Sequence, residues 1–340
     1  FDDYDIRWDE IPLQGEHSNG HNHVETAFAQ GAAASFWESD APNPPENRAL
    51  IFVKDSLKAL QQLSKAYLHE LDAKVIGITG SNGKTTTKDM TASIMKTKYR
   101  VHKTSGNYNN HIGLPLTILS APEDTEILIL EMGMSSRGEI SLLSQIGQPD
   151  VAIITNIGEA HLLDLGSREG IADAKMEIVE GLKKDGTFIF NGDEPLLLSR
   201  VSKHAYKKIT FGSSMTNDYY PVQSKAGENE MEFTIDVDGH HPFVLPLLGN
   251  HNVLNALAAI AAGRTMGVSW EQITTGLAEV KLSNMRMEVS FGARGEKIIN
   301  DAYNASPTSV KAAIELVKGM TGTGKKILVL MYLLTKIHPF

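Results

Sequence analysis

From residue 75 onward, the chain repeats a pattern of short apolar segment, glycine-containing turn and amphipathic helix. The pattern predicts three strand and helix pairs: Val75 to Thr79 with Lys84 to Met95, Ile127 to Glu131 with Glu139 to Ile146, and Val151 to Thr155 with Ile171 to Leu182. Strands that alternate with helices are typical of a parallel sheet covered by helices. The sequence therefore predicts an α/β fold here.

The segments on either side predict further elements. Before the repeats, we expect a helix from Val24 to Ala34, a loop from Ser39 to Arg48, a strand from Ala49 to Val53 and a helix from Ser56 to Leu71. After them, the pattern predicts strands at Thr187 to Asn191 and Ile209 to Phe211, an antiparallel pair at Met231 to Val237 and Pro242 to Leu247, and helices at Asn252 to Met266 and Trp270 to Val280.

The end of the chain predicts the beginning of another α/β unit. Its elements are strands at Met287 to Phe291, Lys297 to Asn300 and Lys326 to Leu330, and a helix at Pro307 to Val317. This stretch is too short for a complete α/β domain, so we expect it to be truncated. The chain is thus divided into units 1–73, 74–285 and 286–340, and the absence of an initiating Met suggests that the first unit lacks its start.

Composition narrows the class of protein. A formal net charge of −9 argues against a nucleic-acid coat, because phosphate binding over a broad surface needs basic residues. Zero cysteines fit a reducing cytoplasm. The longest uncharged apolar run, Ile327 to Leu334, is shorter than the roughly 20 residues that span a bilayer, and the start shows no signal peptide. We expect a cytoplasmic protein without a membrane span.

The strongest local motif follows the first predicted strand of the repeats. It runs through Gly80, Ser81, Asn82, Gly83, Lys84, Thr85 and Thr86 into a helix. Glycines let backbone N–H groups turn toward a triphosphate, Lys84 can reach the β- and γ-phosphates, and the Thr85 hydroxyl can bind Mg²⁺. The general P-loop pattern has glycine where Ile78 stands, so a plain glycine turn is the alternative.

Three further residues are candidates for the same site. Glu131 ends the second strand, where ligands collect at the carboxyl edge of a parallel sheet; a solvated strand end is the alternative. His161 lies in the loop after the third strand, and the alternative is a solvated loop histidine. Lys175 shares an apolar helix face with Ile171 and Ile178, where a bare ammonium is costly; the alternative is a lysine whose head reaches water.

Taken in order, these motifs resemble the Mur ligase family, whose relatives include folylpolyglutamate synthase and cyanophycin synthetase. The stretches that carry the resemblance are Thr79 to Thr86, Glu131, Gly158 to His161, Ser167 to Glu177, Gly249 to Asn255, Arg286 and Asp301 to Asn304. The resemblance covers roughly residues 13 to 330. It implies a small N-terminal α/β substrate domain, a central P-loop ATPase domain with a parallel sheet, and an incomplete C-terminal Rossmann-like domain.

The resemblance also implies roles for these residues in the use of ATP and Mg²⁺. Thr85 and Glu131 would hold one Mg²⁺, and His161 a second, together with Lys175 as a carbamate. Catalysis would depend on Lys84, His161 and Lys175. The remaining implied contacts are those of Asn252 and Asn255 with adenine, Arg286 with the phosphates and Asp301 with the ribose. For Asn252, helix capping is the alternative.

Narrower features favour the dipeptide-adding branch of the family. They are Gly106 to Pro115, Glu131 to Gly133, Arg137 to Ile140 and Asp301 to Pro307. The implied reaction joins D-alanyl-D-alanine to UDP-N-acetylmuramoyl-tripeptide through an acyl phosphate, and we expect a monomer with these small-molecule substrates. Phe1 to Ile11 and Met331 to Phe340 depart from the family pattern. One alternative is therefore an ATP-binding fragment without activity. A separate alternative keeps the enzyme class but changes the substrate, as in a ligase that extends folates.

Overall fold

The N-terminal part of the chain forms a small parallel pair of strands and two helices. The computed structural model describes residues 11–15, 19–201, 206–283, 286, 288–293, 295–319 and 325–330. Its first elements are a 3₁₀ turn (Gly20–His23), α1 (Val24–Ala29), β1 (Ser35–Glu38), β2 (Leu50–Val53) and α2 (Ser56–Leu71). Strands β1 and β2 pair in parallel, and Asp55 caps α2 by accepting a hydrogen bond from the Lys58 N–H at 2.9 Å.

One prediction in this region is wrong in extent. The helix expected from Val24 to Ala34 ends at Ala29, because Gly31 takes a φ of 108° that turns the chain into β1. Strand β1 was not predicted; it is four residues long and forms by pairing with β2, a distant segment that a local pattern does not register.

Six parallel strands form the central sheet. They are β3 (Lys74–Thr79), β4 (Val101–Lys103), β5 (Ile127–Glu131), β6 (Val151–Ile154), β7 (Thr187–Asn191) and β8 (Lys207–Phe211). Their order in the sheet is β4-β5-β3-β6-β7-β8. Strand β5 lies on one side of β3, and the next strand along the chain, β6, lies on the other. The loops that follow β3, β5 and β6 therefore meet at one carboxyl edge, the usual place for a ligand in an open α/β sheet.

Helices cover both faces of this sheet. They are α3 (Lys84–Lys96), α4 (Gly113–Leu119), α5 (Glu139–Gly147), α6 (Leu162–Leu165), α7 (Arg168–Met176), α8 (Pro195–Val201), α9 (Asn250–Thr265) and α10 (Trp270–Ala278). Alternate residues of β3 belong to two apolar cores, one on each face of the sheet. Ile76 and Ile78 pack in the core with α3, α9 and α10, whereas Val75 packs in the core with α2, α4, α5 and α7. The predicted parallel sheet with covering helices is confirmed.

Helix α7 is shorter than the helix predicted from Ile171 to Leu182 and begins earlier, at Arg168. Ser167 caps α7 by accepting from the Gly170 N–H at 3.0 Å, and after Met176 the chain continues as a 3₁₀ turn, Glu177–Glu180. The apolar face on which the prediction rested is nevertheless buried, since Ile171 and Ile178 are both 0% exposed.

A three-stranded antiparallel sheet and a short C-terminal unit complete the described chain. The sheet contains β9 (Gln223–Ala226), β10 (Met231–Asp236) and β11 (His240–Leu245) in the order β11-β10-β9, and Phe233 and Phe243 stack at 5.2 Å within its core side. The C-terminal elements are the antiparallel strands β12 (Glu288–Phe291) and β13 (Lys297–Asn300) and the helix α11 (Pro307–Gly319).

The strand expected from Lys326 to Leu330 is a wrong prediction. Residues 325–330 lie in no helix or strand, and Val329 is 85% exposed. A strand forms only where a neighbour takes up its backbone hydrogen bonds, and no described strand pairs with this segment. The predicted start of β12 at Met287 falls outside the described residues. Across the described ranges, no helix has both the length and the apolar character needed to cross a membrane.

Candidate active site

The loop between β3 and α3 has the local geometry of a phosphate cradle. Gly80 and Gly83 have φ values of 150° and 78°, which favour glycine because it has no Cβ. The Lys84 ammonium lies back over the loop and donates to the carbonyl oxygens of Gly80 at 2.8 Å and Ser81 at 3.5 Å. The amino end of α3 adds unpaired N–H groups and partial positive charge, so the loop can bind an anion.

The loop after β6 holds the cradle in place. Asn82 and Asn156 exchange two hydrogen bonds, from the Asn82 N–H to Asn156 Oδ1 at 3.0 Å and from Asn156 Nδ2 to the Asn82 carbonyl at 2.9 Å. The Gly158 N–H donates to Ser81 Oγ at 2.8 Å, and Thr155 Oγ1 donates to the Asn82 carbonyl at 2.6 Å. Two strand ends therefore fix the cradle before any ligand binds.

Glu131 faces the first turn of α3. It is 3% exposed, which excludes a solvated strand end. Thr85 Oγ1 donates to Glu131 Oε2 at 2.9 Å, and Asn109 Nδ2 donates to Glu131 Oε1 at 2.9 Å. A hydroxyl and a carboxylate, both hard oxygen ligands of the kind that Mg²⁺ prefers, thus lie side by side next to the phosphate cradle. Thr86 follows in the same turn and is also buried.

A buried lysine that the sequence analysis missed lies behind Glu131. The Lys88 side chain is 1% exposed, and its Nζ lies 4.0 Å from Glu131 Oε2 and donates to the Thr104 carbonyl at 2.9 Å. Burial lowers the pKa of Lys88, while the charges of Asp89 and Glu131 oppose that change. Nothing in the local sequence distinguishes Lys88 from an exposed helical lysine; only its spacing of one turn from Lys84 places it on the same side of α3.

Two nitrogen bases, Lys175 and His161, lie near Lys84 of the cradle on the β6 side. Lys175 is 2% exposed, which excludes the alternative in which its ammonium reaches water. Burial, together with the nearby charge of Lys84, holds the pKa of Lys175 well below its ordinary value. His161, whose side chain is 40% exposed, has its pKa lowered by burial and by the charges of Lys175 and Lys84. The site therefore favours the neutral forms of Lys175 and His161.

The first turns of α9 also reach the cradle. A Cβ added to Gly83 would lie 2.4 Å from Asn255 Oδ1, so Asn255 packs directly on the loop. Asn255 Nδ2 donates to Asn252 Oδ1 at 3.3 Å, and Asn252 Nδ2 donates to the Leu248 carbonyl at 2.8 Å. The residue that caps α9 is Gly249, so the alternative of helix capping for Asn252 is wrong.

Residues of the C-terminal unit contact the same place. Arg286 Nη2 lies 3.5 Å from Thr85 Oγ1, and its guanidinium lies 4.1 Å from the centre of the Tyr303 ring. Ser306 Oγ donates to Asn82 Oδ1 at 3.2 Å. Asp301 acts on His251 in the first turn of α9, where burial lowers the pKa of His251 and the Asp301 charge opposes that shift. The structure thus brings Asp301 to the α9 side of the site.

Comparisons with known proteins agree with this arrangement. The model of the Mur ligase middle domain matches residues 78–263. The UDP-N-acetylmuramoyl-tripeptide–D-alanyl-D-alanine ligase of Bacillus subtilis is 57% identical over 320 residues, which are 94% of this chain and 69% of that relative.

Two solved structures extend the comparison to the fold. MurF from Acinetobacter baumannii superposes with a TM-score of 0.84 at 32% identity and covers 92% of this chain and 68% of its own. MurF ligase from Thermotoga maritima, solved in complex with ADP, superposes with a TM-score of 0.81 at 32% identity and covers 91% and 71%. The family match, the Bacillus subtilis relative and the shared fold together show that this chain belongs to the Mur ligase family.

Proposed function

We propose that this chain joins D-alanyl-D-alanine to UDP-N-acetylmuramoyl-tripeptide, with conversion of ATP to ADP and phosphate, in the synthesis of peptidoglycan precursor. The relative at 57% identity carries that activity in its name. The observation that carries the proposal is the convergence of Lys84, the Thr85 and Glu131 oxygens and Lys175 at one edge of the sheet. We further propose a cytoplasmic monomer; the absence of cysteine fits a reducing compartment.

The chemistry explains why a phosphate cradle belongs in a peptide ligase. A carboxylate does not react with an amine directly, because oxide or hydroxide is a poor leaving group. Transfer of the γ-phosphoryl group of ATP to the carboxylate oxygen gives an acyl phosphate and ADP. The dipeptide amine then adds to the acyl carbon, loses a proton, and phosphate leaves as the amide forms. The first step is catalysed mainly by positioning and by stabilisation of charge.

The residues of the site divide this work. Lys84 neutralises charge that develops on the transferring phosphoryl group, and the backbone N–H groups of residues 80–86 hold the phosphates. We assign Asn252 and Asn255 to adenine, Arg286 to the phosphates and Asp301 to the ribose; their positions around the cradle support these roles. Burial of Lys84 lowers its pKa, while the Glu131 charge opposes and the Arg286 charge reinforces that change. The Glu131 charge therefore favours the cationic form of Lys84.

The available ligands fit magnesium. Within the described ranges, no three carboxylate or imidazole side chains cluster closely enough to hold a metal by themselves. Mg²⁺ usually binds through one or two carboxylates and completes its shell with water and substrate phosphates, which the Thr85 and Glu131 pair allows. His161 and a carbamylated Lys175 would hold a second ion. These ions would neutralise charge on the phosphates.

We propose that Lys175 is carbamylated, as the family resemblance implies, and its surroundings support this proposal. Carbon dioxide reacts with a neutral amine, and the lowered pKa of Lys175 favours that form. The neutral amine adds to the carbon of carbon dioxide, loses a proton to solvent and becomes a carboxylate. An uncharged side chain beside Lys84 thus becomes an anion that attracts the Lys84 cation.

Phosphate release tests the proposed function. The full chain is assayed with ATP and Mg²⁺, with UDP-N-acetylmuramoyl-tripeptide and D-alanyl-D-alanine added singly and together. We expect release only when both are present, because the acyl phosphate forms on one and is consumed by the other. ATP binding without turnover would support the alternative of a non-catalytic fragment of such a ligase. Release that requires a folate and glutamate would support the folate-extending alternative.

The glycine that begins α3 provides a second prediction. Gly83→Ala should weaken binding of Mg²⁺ and a non-hydrolysable ATP analogue by at least about tenfold. The new Cβ would lie 2.4 Å from Asn255 Oδ1 and displace the Asn255 amide, and left-handed backbone costs a non-glycine residue about 1–2 kcal/mol. Isothermal titration calorimetry would measure the affinity.

Gly138→Ala is a matched control for this substitution. Gly138 begins α5 with a φ of 83°, close to the 78° of Gly83, and a Cβ there would meet nothing within 4 Å. It should lower the melting temperature through the same backbone strain and leave the affinity unchanged. Equal affinities for the two variants would show that the approach of Asn255 does not shape the cradle.

A further inference from the structure

The segment that leads from α10 toward the C-terminal unit is attached to α3 by one buried carboxylate. Asp89 Oδ2 accepts two hydrogen bonds from Ser283, from its N–H and from its hydroxyl, each at 2.9 Å. Asp89 is 2% exposed, its other oxygen accepts from Lys103, and Lys88 Nζ lies 3.6 Å from it. The carboxylate is thus held from two other sides and offers Ser283 a fixed point of attachment.

The position of this attachment bears on Arg286. Asp89 follows Thr85 by four residues in α3, so the two lie about 6 Å apart along one side of the helix. Ser283 contacts Asp89, and Arg286, three residues later in the chain, contacts Thr85. Ser283 and Arg286 therefore contact α3 at two points that are one helical turn apart, and the contact of Arg286 is the one nearer the phosphate cradle.

Among the described residues, the contacts of Arg286 itself are weak. Its distance of 3.5 Å to Thr85 Oγ1 is at the outer limit of a hydrogen bond, and Tyr303, whose ring it covers, is 44% exposed. An exposed cation and ring contact contributes little. These two contacts alone hold the guanidinium loosely, so an attachment close to Arg286 in the chain can contribute to its position.

We propose that Ser283 and Asp89 form a positioning pair that sets Arg286 at the nucleotide site. The hydroxyl of Ser283 acts by holding Ser283 on α3, three residues before Arg286 in the chain. In assigning Arg286 to the phosphates, this inference rests on the proposed function.

A double-mutant cycle on the full chain tests the inference. The affinity for Mg²⁺ with adenylyl imidodiphosphate is measured by isothermal titration calorimetry for the parent chain, Ser283→Ala, Arg286→Ala and the double variant. Loss of one hydrogen bond to a charged group predicts about tenfold weaker binding for Ser283→Ala. In the Arg286→Ala background, the same substitution should change affinity by less than about twofold, since its effect passes through Arg286. Ser283→Thr, which keeps the hydroxyl, should restore the affinity.

Ser269→Ala controls for loss of stability. Ser269 caps α10 by accepting from the Gln272 N–H at 3.2 Å, so its removal lowers the melting temperature without touching this segment, and the affinity should stay unchanged. Equal losses from Ser283→Ala in both backgrounds, or no loss in the parent, would overturn the inference. So would an Arg286→Ala variant that binds as tightly as the parent. Ligase turnover is measured separately, so an intact cycle in a chain without turnover would count against the proposed function alone.

Discussion

Lys84→Ala should reduce ATP-dependent phosphate release by at least about a thousandfold, a loss of the size seen when a group that stabilises transferring phosphate is removed. The ammonium projects from the first turn of α3 and lies against the Gly80 carbonyl at 2.8 Å, where the phosphates would bind. Because its main contribution is to the transferring group, kcat should fall more than KM for ATP rises.

The control for this substitution is a surface lysine. Lys58 on α2 forms an exposed pair with Asp55, with side chains 76% and 39% exposed, and such a pair contributes about 0–1 kcal/mol. Lys58→Ala should leave phosphate release unchanged. Turnover by Lys84→Ala within tenfold of the parent would remove the cradle from the proposed mechanism.

Lys175→Met should abolish substrate-dependent phosphate release, to below about one hundredth of the parent rate, because methionine fills a similar volume but forms no carbamate for a metal. Carbamylation predicts a second result. The parent chain equilibrated with ¹³C-bicarbonate should give a carbamate carbon signal in nuclear magnetic resonance, Lys84→Ala should keep that signal, and Lys175→Met should lose it. A parent chain without the signal would rule out the carbamate.

The same substitution should stabilise the fold in buffer free of carbon dioxide. In that buffer Lys175 is not carbamylated. Within the described residues, its side-chain nitrogen has no hydrogen bond or ion pair, so burial of the protonated form opposes folding. This loss of folding stability is greatest at pH values below the lowered pKa that Lys175 has in the folded state. It disappears as the pH rises toward 10.5, the ordinary pKa of a lysine. The gain in melting temperature for Lys175→Met should therefore shrink as pH rises. A lower melting temperature would show that Lys175 has a stabilising partner.

Local sequence was sufficient for the elements that form the site. Strands β3, β5 and β6 are continuous apolar runs because both faces of a parallel sheet are covered. Strand β5 ends at Glu131, and β3 and β6 end shortly before Lys84 and His161. The phosphate cradle is also local, since its glycines, Lys84 and Thr85 lie within one turn and the first residues of one helix. These features follow from backbone freedom and short-range geometry.

Short elements escaped prediction. Strand β4 is three residues long and exists because β5 pairs with it over Val101 to Lys103. Helix α4, for which no element was predicted, contains Pro115, and proline in the first turn of a helix costs no hydrogen bond. In both cases the deciding interaction comes from elsewhere in the chain.

By itself, the sequence determined the family and the alternation of strands and helices, and it supplied the candidate residues for binding phosphate and metal. Only the tertiary structure decided which charges are buried. Helix α3 reads as a polar helix, yet residues from Thr85 to Met95 are buried almost throughout, because the sheet lies on one side and α9 and α10 on the other. Burial depends on what packs over a residue, and a buried Lys88 is tolerable only because Asp89, Glu131 and the Thr104 carbonyl surround it.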